Sequence, residues 1–103
     1  MIEKRDFYIN GEWCAPSHAN DLDVINPSTE EVCAVISLGS EADTNAAVSA
    51  ARIAFNDWSQ TSLEHRVELL NKVAEGYMAR IGEMGEAISM EMGAPIDLAG
   101  TAQ

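Results

Sequence analysis

The segment 21-DLDVINPSTEEVCAVISL-38 carries two apolar, β-branched arms on either side of a cluster of turn formers. Leu22, Val24 and Ile25 lie on one arm and Val32, Val35 and Ile36 on the other, with Asn26-Pro27-Ser28-Thr29-Glu30-Glu31 between them. Proline fixes φ and lacks an N–H, while Asn, Ser and Thr side chains bond the local backbone, so the chain reverses here as a β-hairpin with a loop of intermediate length. On the second arm Val32, Ala34, Ile36 and Leu38 share one face; Cys33, Val35 and Ser37 share the other. Both faces are fairly apolar, so this hairpin expects cover on more than one side.

Toward the N-terminus, Phe7-Tyr8-Ile9-Asn10-Gly11-Glu12-Trp13 predicts a second, shorter hairpin. Asn-Gly is the preferred pair for a two-residue type I′ turn because both central positions need φ > 0. An isolated pair of strands is marginal in water, so it must pack on something else. Ala15 to Asn20 reads as a polar connection, with His18 exposed and without a neighbouring metal ligand.

Toward the C-terminus, Gly39 ends the strand region, and Ser40 with Asp43 forms a capping box that opens a helix. Thr44, Ala47, Val48, Ala51, Phe55 and Trp58 recur at helical spacing, and the helix should end near Asn56–Trp58. Thr61 with Glu64 forms a second box, followed by Leu63, Val67, Leu70, Ala74, Tyr77 and Ile81 on one stripe. His65 falls on the polar flank. Gly82 predicts a break, and a third helix covers about Glu83 to Met92, with Met84, Ala87, Ile88 and Met92 on its buried side. Gly93 is a natural αL cap and Pro95 blocks continuation. Ile96 to Gln103 reads as the start of a further element cut short. The predicted fold class is α+β, two hairpins followed by three helices, with residues 1–103 as a single unit.

Composition narrows the function. A chain of 103 residues buries roughly 60–68% of its unfolded surface, which leaves little for a deep active-site cavity beside a core. Six Lys+Arg against 17 Asp+Glu give a net charge of −11, which repels phosphate backbones and anionic lipid and argues against nucleic-acid or membrane-surface partners. The first residues lack an apolar signal core, and the expected location is cytoplasmic. Cys14 and Cys33 sit in strand patterns without a neighbouring His and read as buried structural thiols. Glycine-rich phosphate loops, Gly-x-Ser-x-Gly, His-Glu-x-x-His and Cys-x-x-Cys are all absent. The carboxylates are scattered, so none pairs as acid and base, and Glu30-Glu31 reads as a solvated turn. Glu91, between Met90 and Met92 near a helix end, is the exception worth following, because an acid there opposes the dipole unless something compensates it.

Taken in order, these pieces resemble the N-terminal part of the NAD(P)-dependent aldehyde dehydrogenase family. The resemblance is carried by Phe7 to Trp13, by Val24-Ile25-Asn26-Pro27-Ser28-Thr29, and by Val32 with the strand to Leu38. It continues through Ala47-Val48, Ala50-Ala51-Arg52, Ala54-Phe55 and Trp58, then Arg66 with Leu69-Leu70, and ends on Met90-Glu91-Met92-Gly93 with Pro95. Family members often carry Gly where this chain has Glu30, and Lys where it has Ala94. The resemblance implies an oxidoreductase that converts an aldehyde to a carboxylic acid with NAD or NADP. In it a thiolate attacks the aldehyde and hydride passes to the nicotinamide. It implies that these 103 residues clad the cofactor-binding domain of an α/β enzyme. The nucleophilic Cys, the general-base Glu and the oxyanion-hole Asn match nothing here, and neither Cys14 nor Cys33 takes the first role. No catalytic or cofactor-binding residue is therefore assigned, and the chain alone is expected to be inactive and to bind no cofactor. A monovalent-cation site of some relatives matches the Ile25 carbonyl and Glu91. The implied partners are the aldehyde substrate, the remainder of the dehydrogenase and further copies in a homo-oligomer. The alternative reading is a non-catalytic acidic α+β module that binds a separate chain.

Overall fold

The computed structural model describes residues 1–101. Its strands are β1 (Ile2–Lys4), β2 (Phe7–Ile9), β3 (Glu12–Cys14), β4 (Asp21–Asn26) and β5 (Glu31–Ser37). They are followed by helices α1 (Glu41–Trp58), α2 (Leu63–Ala79), α3 (Ile81–Met92) and α4 (Ile96–Ala99). The α+β expectation holds. The chain divides into two units, one of Met1–Val24 with Val32–Gln60, the other of Ile25–Glu31 with the chain from Thr61 onward.

Both hairpin signals are realised. Asn10 and Gly11 take φ of 55° and 80°, the positive values a type I′ turn needs, and β2 and β3 pair antiparallel with Tyr8 opposite Trp13. Those two rings lie 5.1 Å apart and tilted, a cross-strand aromatic pair on the exposed face. The other face, with Phe7 and Ile9 half-buried, turns toward α1, and β2 packs on that helix. The larger hairpin supplies β5 as the centre of a sheet ordered β1-β5-β4. β1 runs parallel to β5, with Ile2 opposite Ala34 and Lys4 opposite Ile36. Sequence periodicity does not reveal β1. It is three residues long, exposed throughout, and its pairing spans a sequence separation that no local turn signals.

The face of β5 that carries Cys33, Val35 and Ser37 is the better covered one, with Val35 and Ser37 buried. The opposite face keeps Val32 and Leu38 exposed, so the cover expected on both sides is present mainly on one.

In the second unit the helix boundaries depart from expectation in two places. The N-cap of α2 is Ser62, whose Oγ accepts the His65 N–H at 3.1 Å, and not Thr61 paired with Glu64. Adjacent hydroxyls compete for this role, and the one whose backbone reaches β geometry, here φ −70° and ψ 157°, wins it. The break between α2 and α3 falls at Arg80, with φ −118° and ψ 13°, rather than at Gly82, which lies inside the first turn of α3. Gly93 does close α3 with φ 73° and donates its N–H to Ser89 O. Past Pro95 the chain forms α4, which packs on α3 through the close approach of Gly100 and Ala99 to Gly85. The reading of a cut-short element beyond Ile96 is thus a short helix as far as the description reaches; Ala102 and Gln103 lie outside the described residues.

The predicted apolar stripes form on the helices but are not buried. Among the described residues the buried apolar side chains are Val35 and Ala99. Val48, Phe55 and Trp58 on α1, Leu63, Val67, Leu70 and Tyr77 on α2, and Met84 and Met92 on α3 are all exposed. Helical spacing selects which residues share a face, but burial requires a second surface to cover that face.

Candidate functional site

The turn that joins β4 to β5 is held by its own side chains. Asn26 Oδ1 accepts the Ser28 N–H at 2.9 Å, an Asx turn, while Asn26 O accepts the Glu30 N–H at 2.8 Å. Thr29 Oγ1 accepts the Glu31 N–H at 3.4 Å. This closure forces Glu30 to φ 60°, a left-handed position that glycine occupies more readily. The turn lies against the end of α3, because a Cβ placed on Gly93 would stand 2.9 Å from Pro27 Cγ. Ser89 Oγ donates to Ala94 O at 2.8 Å and fixes the chain as it leaves that helix.

Ile25 and Glu91 therefore each lie two residues from a contacting pair, Pro27 and Gly93, in the same unit. Both are exposed. A backbone carbonyl and a carboxylate are hard oxygen donors of the kind a hard cation takes, but such ions need several more. Among the described residues no group of three or more His, Cys, Asp or Glu is placed to hold a metal ion. These two donors by themselves do not make a metal centre. Glu91 stands in the last turn of α3, which contains no basic residue to offset it against the helix dipole.

The thiols are placed in strands as expected. Both are half-buried and free; Cys14 donates to Phe7 O at 3.5 Å and Cys33 to Val24 O at 3.3 Å. Neither stands beside a base. His18 is an exposed loop residue, its Nδ1 3.4 Å from Ser17 Oγ. The hairpin β2–β3 and α1 enclose an open groove of about 340 Å³, lined by Ile9, Gly11, Ala47, Ala50 and Ala54 with Tyr8 at its side. Its walls offer shape but almost no reactive chemistry. Ser37 Oγ is buried without a hydrogen-bond partner.

The most perturbed carboxylate is structural. Asp43 accepts the Ser40 N–H at 2.8 Å and the Ser17 N–H at 2.9 Å, and Ser40 Oγ donates to it at 2.9 Å. These bonds, the Ser40 backbone N–H foremost, hold its pKa down at about 2. The same carboxylate thus caps α1 and pins the connection that precedes β4. The sequence identified Ser40 and Asp43 as a box; Ser17 as third partner carries no local signal, since it is 26 residues away.

A profile of the aldehyde dehydrogenase family matches residues 13–102. A 3-succinoylsemialdehyde-pyridine dehydrogenase of a Pseudomonas species is 46% identical over 96 residues, 93% of this chain and 20% of the relative. The crystal structure of an aldehyde dehydrogenase from Bartonella henselae superposes with a TM-score of 0.97 at 54% identity, covering 99% of this chain and 21% of that one. A mutant aldehyde dehydrogenase C from Pseudomonas syringae, solved in complex with NAD+ and octanal, superposes with a TM-score of 0.92 at 45% identity over 94% of this chain and 20% of its own. The chain thus spans about a fifth of the length of the relatives it matches.

Proposed function

The chain belongs to the aldehyde dehydrogenase family, and from that membership we propose that it forms the N-terminal part of the cofactor-binding domain of an NAD(P)-dependent aldehyde dehydrogenase. The observation that carries this reading is the superposition over 99% of the chain on an aldehyde dehydrogenase, combined with apolar helix faces whose side chains are exposed. A segment that clads a larger body has this character, whereas a self-sufficient enzyme of this length does not.

Its contribution is structural. None of its residues is assigned to thiolate attack, hydride transfer or release of the acid, and the nicotinamide cofactor and aldehyde belong to the complete enzyme. The nicotinamide would supply the hydride acceptor in the complete enzyme. Ile25 and Glu91 would supply two oxygen ligands to a monovalent cation only if the remaining ligands came from elsewhere in the enzyme. The parent enzyme would act in the cytoplasm as a homo-oligomer.

Two measurements test the reading. The purified chain, given an aldehyde with NAD+ or NADP+, should form no NAD(P)H above a buffer control; turnover would refute the assignment of a purely structural role. Sequencing the parent DNA past Gln103 should find an in-frame continuation with a nucleophilic Cys. A stop codon together with tight co-purification of a second chain would instead favour the alternative, an acidic module that binds a separate partner, which the same uncovered helix faces support.

A further inference from the structure

The tip of the β2–β3 hairpin joins two residues that react together. Asn10 and Gly11 are the central pair of the turn, with φ of 55° and 80°, and both are exposed. They lie wholly within the first unit. A Cβ built on Gly11 would meet nothing within 4 Å, so no side chain crowds its backbone nitrogen. Among the described residues no hydrogen bond engages the Asn10 carboxamide or the Gly11 N–H. β2 and β3 have three residues each, and so short a hairpin opens locally at small cost, which lets that nitrogen reach the Asn10 side chain.

A backbone nitrogen attacks the preceding asparagine when it has a proton to lose, no side chain crowds it and the backbone can turn. The six asparagines of the chain divide on those terms. Asn26 precedes Pro27, whose nitrogen carries no proton. Asn45, Asn56 and Asn71 lie inside α1 and α2, where the N–H that follows each is held in a helical hydrogen bond. Asn20 leads into β4, its carbonyl accepts the Leu38 N–H at 2.8 Å, and Asp21 follows it with a side chain tied to Arg5. Asn10-Gly11 meets all three conditions.

We propose that Asn10 is a site of self-modification, at which the chain deamidates through a cyclic imide. The Gly11 nitrogen gives up its proton to water or hydroxide and attacks Asn10 Cγ. The new C–N bond closes a five-membered ring, and the side-chain nitrogen leaves as ammonia. Water then opens the imide. Breaking the bond from Cγ to the Gly11 nitrogen leaves aspartate; breaking the bond from the main-chain carbonyl carbon leaves isoaspartate, whose main chain runs through Cβ and Cγ. Each product has one more negative charge than the parent, and nothing is oxidised or reduced. Asp-Gly suits a type I′ turn as Asn-Gly does, so aspartate keeps Ile9 opposite Glu12 and Tyr8 opposite Trp13. Isoaspartate adds a methylene to a two-residue loop whose length fixes the register, so it opens the end of the hairpin. The same turn lines the groove on α1, which the isomer reshapes. The inference stands on the chain by itself, whatever its enzymatic role.

Incubating the intact chain at mildly alkaline pH, then mapping its peptides by mass spectrometry with electron-transfer fragmentation, tests it. Amide-to-acid conversion at Asn10 should outrun that at each of the other asparagines several-fold and quicken as the pH rises. It should yield both aspartate and isoaspartate and release a matching amount of ammonia. Asn10→Gln, whose longer side chain closes its ring slowly, should lose the fast ammonia release. Asn10→Asp should keep the hairpin, and the Glu12 amide should exchange its hydrogen faster in the purified isoaspartate form than in that variant. Conversion at Asn10 no faster than at Asn20, aspartate without isoaspartate, or a rate indifferent to pH would overturn the proposal. So would an isoaspartate form whose Glu12 amide exchanges as slowly as in Asn10→Asp.

Discussion

Glu30 sits at φ 60° because the Asn26 carbonyl and side chain close the turn around it, and a side chain there pays for its Cβ. Glu30→Gly removes that crowding at the cost of some backbone entropy in the unfolded chain. The net expectation is a gain of about 0.5–1 kcal/mol, read as a higher urea midpoint with an unchanged slope. Gly93 is the opposite case. It has φ 73°, and an added Cβ would meet Pro27 Cγ at 2.9 Å, so Gly93→Ala strains the backbone and separates the turn from the end of α3. A loss of about 1–3 kcal/mol is expected. Gly82 has open space around its Cβ position and lies in a helix, so Gly82→Ala should stabilise by up to about 1 kcal/mol. Equal responses at positions 82 and 93 would contradict this geometry. The sequence made the roles of Asn10-Gly11 and Gly93 legible, because turn type and helix end each demand left-handed backbone. It did not make the Pro27 contact legible, which depends on packing between segments far apart in the chain.

Among the elements, α1 has a start that depends on pH. Asp43 is an acid whose folded pKa, about 2, lies below that of the free carboxyl, because the Ser40 and Ser17 N–H groups bond its charged form. Its contribution is therefore complete above the unfolded pKa near 4 and is lost as the pH falls from about 4 toward 2. Thermal unfolding followed by circular dichroism should show the midpoint falling through this window in the parent chain. Asp43→Asn should lower the midpoint at neutral pH and flatten the fall. An Asn variant with the parent's full acid slope would show that other carboxylates set it. Ser40 and Asp43 were legible as a cap because their spacing puts side chain and N–H in reach within one turn. The start of α2 was less so, since Thr61 and Ser62 both carry a hydroxyl and only backbone geometry chooses between them. β1 was illegible, its partner strand lying far along the chain.

At the scale of the molecule the governing quantity is how much surface folding removes from water. A chain of this mass exposes about 16,000 Å² when unfolded, and the folded form retains 7963 Å². Folding thus buries about half of the available surface, where a self-contained domain of this length buries roughly 65%. The urea slope and the heat capacity of unfolding scale with that area, so both should fall about a fifth below the values usual for 103 residues. The measurement belongs at low protein concentration, where association adds no buried area of its own. The helix stripes are legible as faces, because a sequence reports which side chains align but not whether anything lies opposite them. A slope and heat capacity of ordinary size would mean that the chain does bury those stripes against itself. In that event the reading of this segment as one built to be covered by a larger body would fail.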